Sequence, residues 1–387
     1  MNEEVRIVRA KWVFPVAGEP IPNGCIELHP DGYSVCRDPE GDVHDLGNVA
    51  LIPGLVNSHT HLEFSDLETP LGEPGTPFPD WIRQVVATRR AQAREAGDKH
   101  AAIQTGLEEL QSKGTTIVGE IATLPAEAAW YQHQVTSRLF VERLSLDPEK
   151  AATLVDDMSS LLNDADEVSQ PVGVSPHAPF TVHPDLLEKL CQVSAQQELP
   201  LAMHLAESLE EIELLRSGSG PMVQMMEDFH AWNPAAIPRG IAPYDYLERL
   251  SDAHHALVIH GNFLDTDDLE FLSEHRDNMT LVYCPRTHNF FKHGSYPLVE
   301  AIDLDVRVAL GTDSRASNPD LDVFEELKFV AAHYPELDPA EVLRMATSSG
   351  AKALGLRATR PTVIHLPDSP PADPYEALFS GCAIDPM

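Results

Sequence analysis

Two histidines with metal-binding spacing, His59 and His61, close an apolar run that passes through Pro53 and Gly54. In an extended segment, residues two apart point to the same side, so both imidazoles can bind one metal ion. The pair on its own is equally compatible with two unrelated polar residues at the end of a strand. Its chemistry therefore depends on which other residues join it.

Three later residues complete a possible ligand set, because each of them also follows an apolar run. His204 and His260 end the runs 200–204 and 256–260, and Asp313 follows the run 306–312. Nitrogen and carboxylate ligands without thiolates suit zinc or iron in a catalytic site that keeps a position open for water. The five cysteines include no CxxC pair, which argues against a thiolate site and against a disulfide framework.

The elements that must bring these residues together change in character near Pro53. Before it, short apolar runs broken by proline and glycine predict an antiparallel sheet. After it, short apolar runs alternate with amphipathic segments, as expected for repeated βα units. The predicted helical segments include 87–113, 184–197 and 320–332. The predicted strands are 51–57, 115–119, 138–144, 172–175, 201–204, 256–260, 280–284 and 307–311.

This pattern predicts an α/β fold: a (β/α)8 TIM barrel over residues 54–355, with a small β-sandwich domain built from residues 1–53 and 356–387. The C-terminal ends of all barrel strands open onto one face, where active sites are built. Four histidines and one aspartate at strand ends would therefore meet in a single pocket.

Composition narrows the class of partner. The chain of 387 residues carries a net charge of −34, which disfavours binding to nucleic acid or to an anionic membrane because their phosphates would be repelled. The first residues contain no basic stretch followed by an apolar run. We therefore expect a cytoplasmic protein that acts on a small molecule.

The motifs as a set resemble the amidohydrolase superfamily, from residue 53 through residue 351. HxH after the first strand and Gly311-Thr312-Asp313 after the eighth are similar to its mononuclear aminohydrolase branch, which contains the cytosine, guanine and S-adenosylhomocysteine deaminases. The resemblance implies that one divalent metal, zinc before iron or manganese, is held by a set of four residues: His59, His61, His204 and Asp313. It also implies that His260 and Asp313 act on the attacking oxygen, and that a homodimer is possible because barrels of this family often pair.

Two features narrow the branch. Many members hold a second metal through a carboxylated lysine after the fourth strand, whereas residues 173–177 contain no lysine, so one metal is predicted. Glu207 follows His204 by three residues, and the resemblance implies that it shuttles protons while hydroxide on the metal attacks the ring carbon. Related chlorohydrolases often lack this glutamate. The plain alternative is a glutamate that stabilises the start of a helix.

Contacts to substrate follow from the same resemblance, each with ordinary surface pairing or loop structure as its alternative. They are Asp80 and Trp81 in the loop after the first strand, Arg143 after the third, His177 after the fourth, and Arg286 and His288 after the seventh. The predicted substrate is an amino-substituted heterocycle, either a purine base or an adenine nucleoside derivative. Segments 204–208 and 283–288 resemble the aminodeoxyfutalosine deaminase group.

Other functions stay open at this point. The chain could displace chloride or open a cyclic amide on the same fold, or it could be a catalytically silent barrel that binds a ligand. The tail departs from the family pattern, because relatives usually close with an Ala-Asp-Leu-Val-Val strand that we do not find around residues 360–364. We therefore expect a reduced C-terminal β segment.

Overall fold

A computed structural model describes residues 6–37, 39–92, 96–155, 169–237 and 239–384. Within these ranges, eight parallel strands lie side by side in chain order and form the barrel. The backbone N–H groups of Thr312 and Asp313 donate to the carbonyl oxygen of His59, which links the last strand to the first. The strands are β8 (Leu55–Thr60), β9 (Thr115–Ala122), β10 (Thr136–Arg143), β11 (Val172–Pro176), β12 (Pro200–Leu205), β13 (His255–His260), β14 (Met279–Tyr283) and β15 (Val308–Leu310).

The helices surround this sheet. The described residues of the predicted segment 87–113 are helical except at its C-terminal end: α1 begins earlier, at Phe78, α2 spans Ala96–Ser112, and residues 93–95 lie outside the described ranges. The segment 184–197 has the predicted bounds as α3. The helices are α1 (Phe78–Gln92), α2 (Ala96–Ser112), α3 (Pro184–Gln197), α4 (Leu209–Ser217), α5 (Pro221–Asp228), α6 (Pro243–Leu250), α7 (Thr266–Glu274), α8 (Pro285–Phe291), α9 (Leu298–Asp303), α10 (Val323–His333), α11 (Pro339–Met345), α12 (Ser348–Ala353) and α13 (Pro374–Phe379).

The remaining described strands form two smaller sheets, one of four strands and one of five. Val8 and Ile26 from one sheet and Leu51 and Val363 from the other are buried in one apolar cluster, which makes the pair a sandwich. In sheet order, the first sheet contains β5 (Gly32–Cys36), β4 (Cys25–His29), β1 (Arg6–Arg9) and β6 (Val43–Asp45). The second contains β17 (Cys382–Ile384), β16 (Pro361–His365), β7 (Val49–Pro53), β2 (Trp12–Val13) and β3 (Ile21–Pro22).

The tail differs from expectation. Residues Pro361–His365 form β16, which pairs antiparallel with β7 and also with β17. The segment expected to be reduced thus contains two strands: Thr362, Val363 and Ile364 supply a β-branched run that forms β16 without the family's Ala-Asp-Leu-Val-Val sequence. The predicted barrel and sandwich are confirmed, while the domain boundaries at residues 53 and 355 stay a prediction.

Gly54 divides what looked like one strand, 51–57, between the two sheets. β7 ends at Pro53 in the small sheet, and β8 begins at Leu55 in the barrel. A Cβ atom on Gly54 would lie 2.5 Å from the carbonyl oxygen of Arg360 and in still closer contact with the Thr116 hydroxyl. Only glycine lets the chain pass between the domains here.

The barrel interior below the strand ends is packed with apolar side chains, including Val56, Ile117, Phe140, Leu257 and Val282. Because this interior is filled, a ligand must bind at the C-terminal face. Across the described residues, no helix is both long enough and apolar enough to cross a membrane.

Candidate active site

The five predicted strand-end residues converge at the C-terminal face. Nε2 of His59 lies 3.6 Å and Nε2 of His61 lies 3.7 Å from Oδ1 of Asp313. Nε2 of His204 lies 3.3 Å from Nε2 of His61. The ring of His260 is 5.5 Å from that of His204 and 5.6 Å from that of His59. All five side chains are buried.

The backbone turns sharply where these residues leave their strands. His260 has φ of 70° and Asp313 has φ of 57°, both in the left-handed region. A Cβ atom on Gly311 would lie 2.8 Å from Cβ of His59, so the first and eighth strands approach this closely only because residue 311 is glycine. The Gly-Thr-Asp sequence thus brings the aspartate to the histidine pair.

Hydrogen bonds orient the donor atoms. Ser317 Oγ donates to Oδ2 of Asp313 at 2.9 Å and leaves Oδ1 toward the histidines. Nδ1 of His204 lies 2.9 Å from the carbonyl oxygen of His177, which directs Nε2 of His204 to the cluster. Burial lowers the pKa of His61 and of His204 well below the usual value, so these imidazoles are neutral, the form that binds a metal.

The donor set fits a metal ion. One donor atom from each of His59, His61 and Asp313 lies within 4.8 Å of the others, and the same holds for His59, His204 and His260. Neither ring nitrogen of His59 has a hydrogen-bond partner among the described residues, although the side chain is 1% exposed. An imidazole buried in this way is costly unless another ligand takes up its nitrogen.

Glu207 stands beside this cluster. Its Oε1 lies 3.5 Å from Nε2 of His260, and Glu207, His260 and Asp313 also form a group within 4.8 Å. Burial raises the pKa of Glu207 well above its ordinary value, and the carboxylates of Asp313 and Glu211 raise it further. A glutamate in this state can hold a proton at neutral pH and release it to a partner.

Hydrogen bonds to the Glu211 carboxylate fix the backbone around Glu207. The Glu211 carboxylate accepts from the backbone N–H of Ala206 at 2.9 Å and of Glu207 at 3.0 Å, one bond to each oxygen. Asn262 Nδ2 donates to the carbonyl oxygen of Glu207 at 2.9 Å. These bonds hold Ala206 at φ of 54° and set the direction of the Glu207 side chain.

A cavity of about 590 Å³ opens above the cluster. His61, His204, Glu207, His260 and Asp313 form its inner end. Apolar side chains dominate the outer wall, among them Phe64, Phe78, Trp81, Ile82, Val85, Phe180, Met225, Met226, Phe229 and Trp232. The inner end can hold a metal and move protons, while the outer wall can accept a flat, largely apolar group.

His177 lies in the cavity wall as the predicted substrate contact after the fourth strand. Its Nδ1 lies 2.7 Å from Oγ1 of Thr181, and its Nε2 lies 3.9 Å from Oε1 of Glu142. Burial lowers the pKa of His177 to about 3, so its ring is a neutral hydrogen-bonding group.

Asp80 and Trp81 lie in the first turn of α1, so their predicted placement in a loop was wrong. The Trp81 side chain lines the cavity, and its Nε1 donates to the carbonyl oxygen of Ala316 at 2.9 Å. The Asp80 carboxylate pairs with Arg83 at 2.8 Å on the exposed side of the helix. The structure brings only Trp81 of this pair to the cavity.

Three other predicted contacts lie outside the cavity lining. The Arg143 guanidinium donates to the carbonyl oxygens of Leu154 and Glu142. The Arg286 guanidinium forms ion pairs with Asp320 and Glu326, each at 2.6 Å. His288 is buried, with its ring 5.9 Å from that of Tyr283 and 5.5 Å from that of Tyr296. These side chains are engaged elsewhere in the fold.

The sequence reasoning missed Arg89, whose side chain lines the cavity from α1. The sequence contains an indication of this position, because Trp81, Val85 and Arg89 are spaced by four residues and share one helix face. The predicted helix began at residue 87, so this face was not recognised.

Comparison with known proteins agrees with the geometry. The amidohydrolase family model matches residues 50–360. Aminodeoxyfutalosine deaminase of Deinococcus radiodurans is 30% identical over 350 residues, which is 85% of this chain and 78% of the relative. The 5-methylthioadenosine/S-adenosylhomocysteine deaminase of Pyrococcus furiosus is 28% identical over 336 residues, covering 83% and 74%.

Among solved structures, the crystal structure of Helicobacter pylori aminofutalosine deaminase in complex with methylthio-coformycin has a TM-score of 0.84. It is 21% identical, and the match covers 98% of this chain and 97% of the other. At this identity the likeness establishes the fold of the chain.

Proposed function

The chain belongs to the amidohydrolase family and is a hydrolase of carbon–nitrogen bonds, and on this basis we propose that it deaminates the adenine ring of a nucleoside. The observation that carries the proposal is the position of the Glu207 carboxyl, 3.5 Å from His260 and within 4.8 Å of Asp313. The names of the relatives from Deinococcus and Pyrococcus support the same reaction class.

We propose that His59, His61, His204 and Asp313 hold one divalent metal ion, and that this ion is zinc. Three imidazoles and one carboxylate are a donor set that zinc accepts in catalytic sites. When bound, such an ion supplies a nucleophile at neutral pH by lowering the pKa of water. His260 stays outside this set and presents Nε2 to the attacking oxygen.

Glu207 performs the proton transfers. Its carboxyl, protonated in the buried site, donates to the ring nitrogen beside the reacting carbon and so makes that carbon electrophilic. The resulting carboxylate takes a proton from the attacking water and passes it to the leaving amine. As ammonia leaves, the Glu207 carboxylate accepts the remaining hydroxyl proton of the former water, so that the ring carbonyl forms and Glu207 returns to its protonated starting state.

The size and composition of the cavity favour a nucleoside over a free base. A volume of about 590 Å³ lies within the range of sites for drug-sized ligands. A purine ring at the inner end would leave most of the apolar outer wall without contact. His177 and Trp81, both in the wall, are the proposed contacts to the ring and the sugar.

A screen for ammonia release tests this function. Zinc-loaded protein would be assayed with adenosine, 5′-methylthioadenosine, S-adenosylhomocysteine, aminodeoxyfutalosine and guanine. We expect release from at least one adenine nucleoside and a faster reaction than with guanine. Ammonia from none of them would contradict the proposal, and chloride release from a chlorotriazine would favour the chlorohydrolase alternative. The homodimer, the cytoplasmic location and the absence of nucleic-acid and membrane partners stay predictions.

A further inference from the structure

Helix α1 presents a stripe of side chains to the cavity that is apolar until its last member. Phe78, Trp81, Ile82 and Val85 line the wall, and Arg89 follows them on the same face. A guanidinium beside these apolar side chains loses hydration, which is unfavourable unless its donors are used. The contacts of Arg89 therefore indicate what it can still bind.

Part of the Arg89 guanidinium is fixed by the protein. Nε and Nη2 both donate to Oε1 of Glu63, at 3.0 and 2.5 Å. The Arg89 Cζ atom lies 5.2 Å from the centre of the Phe64 ring, within the range of a cation–π contact. The other oxygen of Glu63 accepts from Thr123 Oγ1 at 2.9 Å and lies 3.6 Å from Nζ of Lys99. The guanidinium is thus oriented before any substrate arrives.

The remaining guanidinium nitrogen of Arg89, Nη1, is available to donate hydrogen bonds to a ligand. Over the described ranges of the chain, Nη1 has no hydrogen-bond acceptor, although arginine offers five N–H donors. About a third of the side chain, 32%, is exposed, and the residue is part of the cavity wall. We propose that Arg89 is a substrate-binding residue whose Nη1 donates to an oxygen acceptor on the part of the substrate beyond the reacting ring.

Chain connectivity locates this donor close to the inner end. Glu63, which anchors Arg89, follows the predicted metal ligand His61 by two residues, and Phe64 lies in the wall beside them. A nucleoside with its ring at the metal end has its sugar in the next position outward. Glu63 offsets the charge of Arg89, so a neutral hydroxyl is a sufficient acceptor, and a carboxylate on a longer substituent offers the same oxygen chemistry.

The proposal rests on the proposed function and is tested by the substrate dependence of two variants. Arg89→Met removes the donor, while Glu63 keeps Thr123 and Lys99 as partners, so the fold is expected to persist. Arg89→Lys keeps an ion pair with Glu63 but lacks the planar guanidinium that can donate to Glu63 and to a substrate at the same time. Arg83→Met is the matched control, because Arg83 lies on the same helix, is also ion-paired and 32% exposed, and is absent from the cavity lining.

We expect both Arg89 variants to raise KM for adenosine about 10- to 100-fold, as for the loss of a charged hydrogen bond, with kcat within about twofold. With 2′,3′-dideoxyadenosine, wild type and variants should have equal KM, and Arg83→Met should match wild type throughout. An effect confined to an adenine nucleoside with a 5′-carboxylate would also support the proposal and identify the carboxylate as the acceptor.

Equal losses with adenosine and dideoxyadenosine, or no loss with any substrate, would overturn the role of Arg89 and leave the deaminase function standing. If wild type deaminates no nucleoside, the proposed function fails instead. In that case calorimetry with adenosine and dideoxyadenosine decides the inference separately. Equal affinities of wild type and Arg89→Met for both compounds and for the adenine nucleoside with a 5′-carboxylate, including no binding, would overturn it.

Discussion

The two ends of the cavity are built in different ways. The inner end consists of polar residues at or just after the ends of barrel strands, and hydrogen bonds fix several of them, such as the bond from Ser317 to Asp313 and the bond from the backbone N–H of Glu207 to Glu211. Much of the outer wall comes from α1, from α5 and from the segment that follows α5, and it is largely apolar.

This difference separates chemistry from substrate choice. A strand end in a closed sheet is fixed by its neighbours on both sides, which suits groups that must keep sub-ångström geometry. Helices and connecting segments outside the barrel can change in sequence without moving the strands. We therefore expect inner-end variants to change kcat, and outer-wall variants to change KM and the preference between substrates.

The largest expected effect is that of Asp313→Ala. Losing the carboxylate removes a proposed metal ligand and leaves His59 and His61 without the acceptor that faces them at 3.6 and 3.7 Å. We expect kcat to fall by at least ~10³-fold, with loss of bound zinc measured by elemental analysis. Asp303→Ala, at an exposed carboxylate on α9, should match wild type in both measurements. Stoichiometric zinc with kcat within tenfold of wild type would break the assignment of the inner end.

Glu207→Gln should have the next largest effect. The amide keeps the size of the side chain but cannot shuttle protons, so we expect kcat to fall by about 10²- to 10⁴-fold while zinc content stays unchanged. The matched control is Glu213→Gln on the exposed face of α4. Near-normal kcat in Glu207→Gln would show that another group moves the protons.

Glu211→Gln tests whether the inner end depends on its supporting bonds. The carboxylate accepts one backbone N–H on each oxygen, and the amide retains only one acceptor. The lost bond corresponds to about 1–2 kcal/mol, so we expect a roughly tenfold decrease in kcat, with KM within twofold and zinc retained. A rise in KM without a change in kcat would place Glu211 in substrate binding and contradict its positioning role.

The same division explains what the sequence could predict. Histidines and the aspartate at the ends of apolar runs were found because strand periodicity and the barrel rule together fix where they meet. His59 and Asp313 are 254 positions apart, yet no tertiary detail beyond strand order was needed to place them together. The predicted strand 51–57 was not divided at Gly54 because the residues on both sides of Pro53 and Gly54 are apolar.

The outer wall was less predictable because its contacts depend on how side chains find partners across the fold. Arg286 follows a strand like the site residues, but its guanidinium pairs with Asp320 and Glu326 from a later segment. Arg89 acquires its orientation from Glu63, which precedes it by 26 positions. Local patterns do not specify which carboxylate an arginine will reach.

The smallest effect is expected in the outer wall, from Phe229→Leu. Phe229 contributes an apolar ring to the cavity just after α5, and leucine keeps the apolar character while exposing less surface to a ligand. We expect KM for 5′-methylthioadenosine to rise about three- to tenfold, because a small loss of apolar contact has effects of that size in hydrophobic pockets. KM for adenosine, which has no apolar 5′ substituent, should change less than twofold, and kcat should stay constant for both. A parallel fall in kcat for the two substrates would show that the outer wall also holds the inner geometry, and the separation between the two ends would then fail.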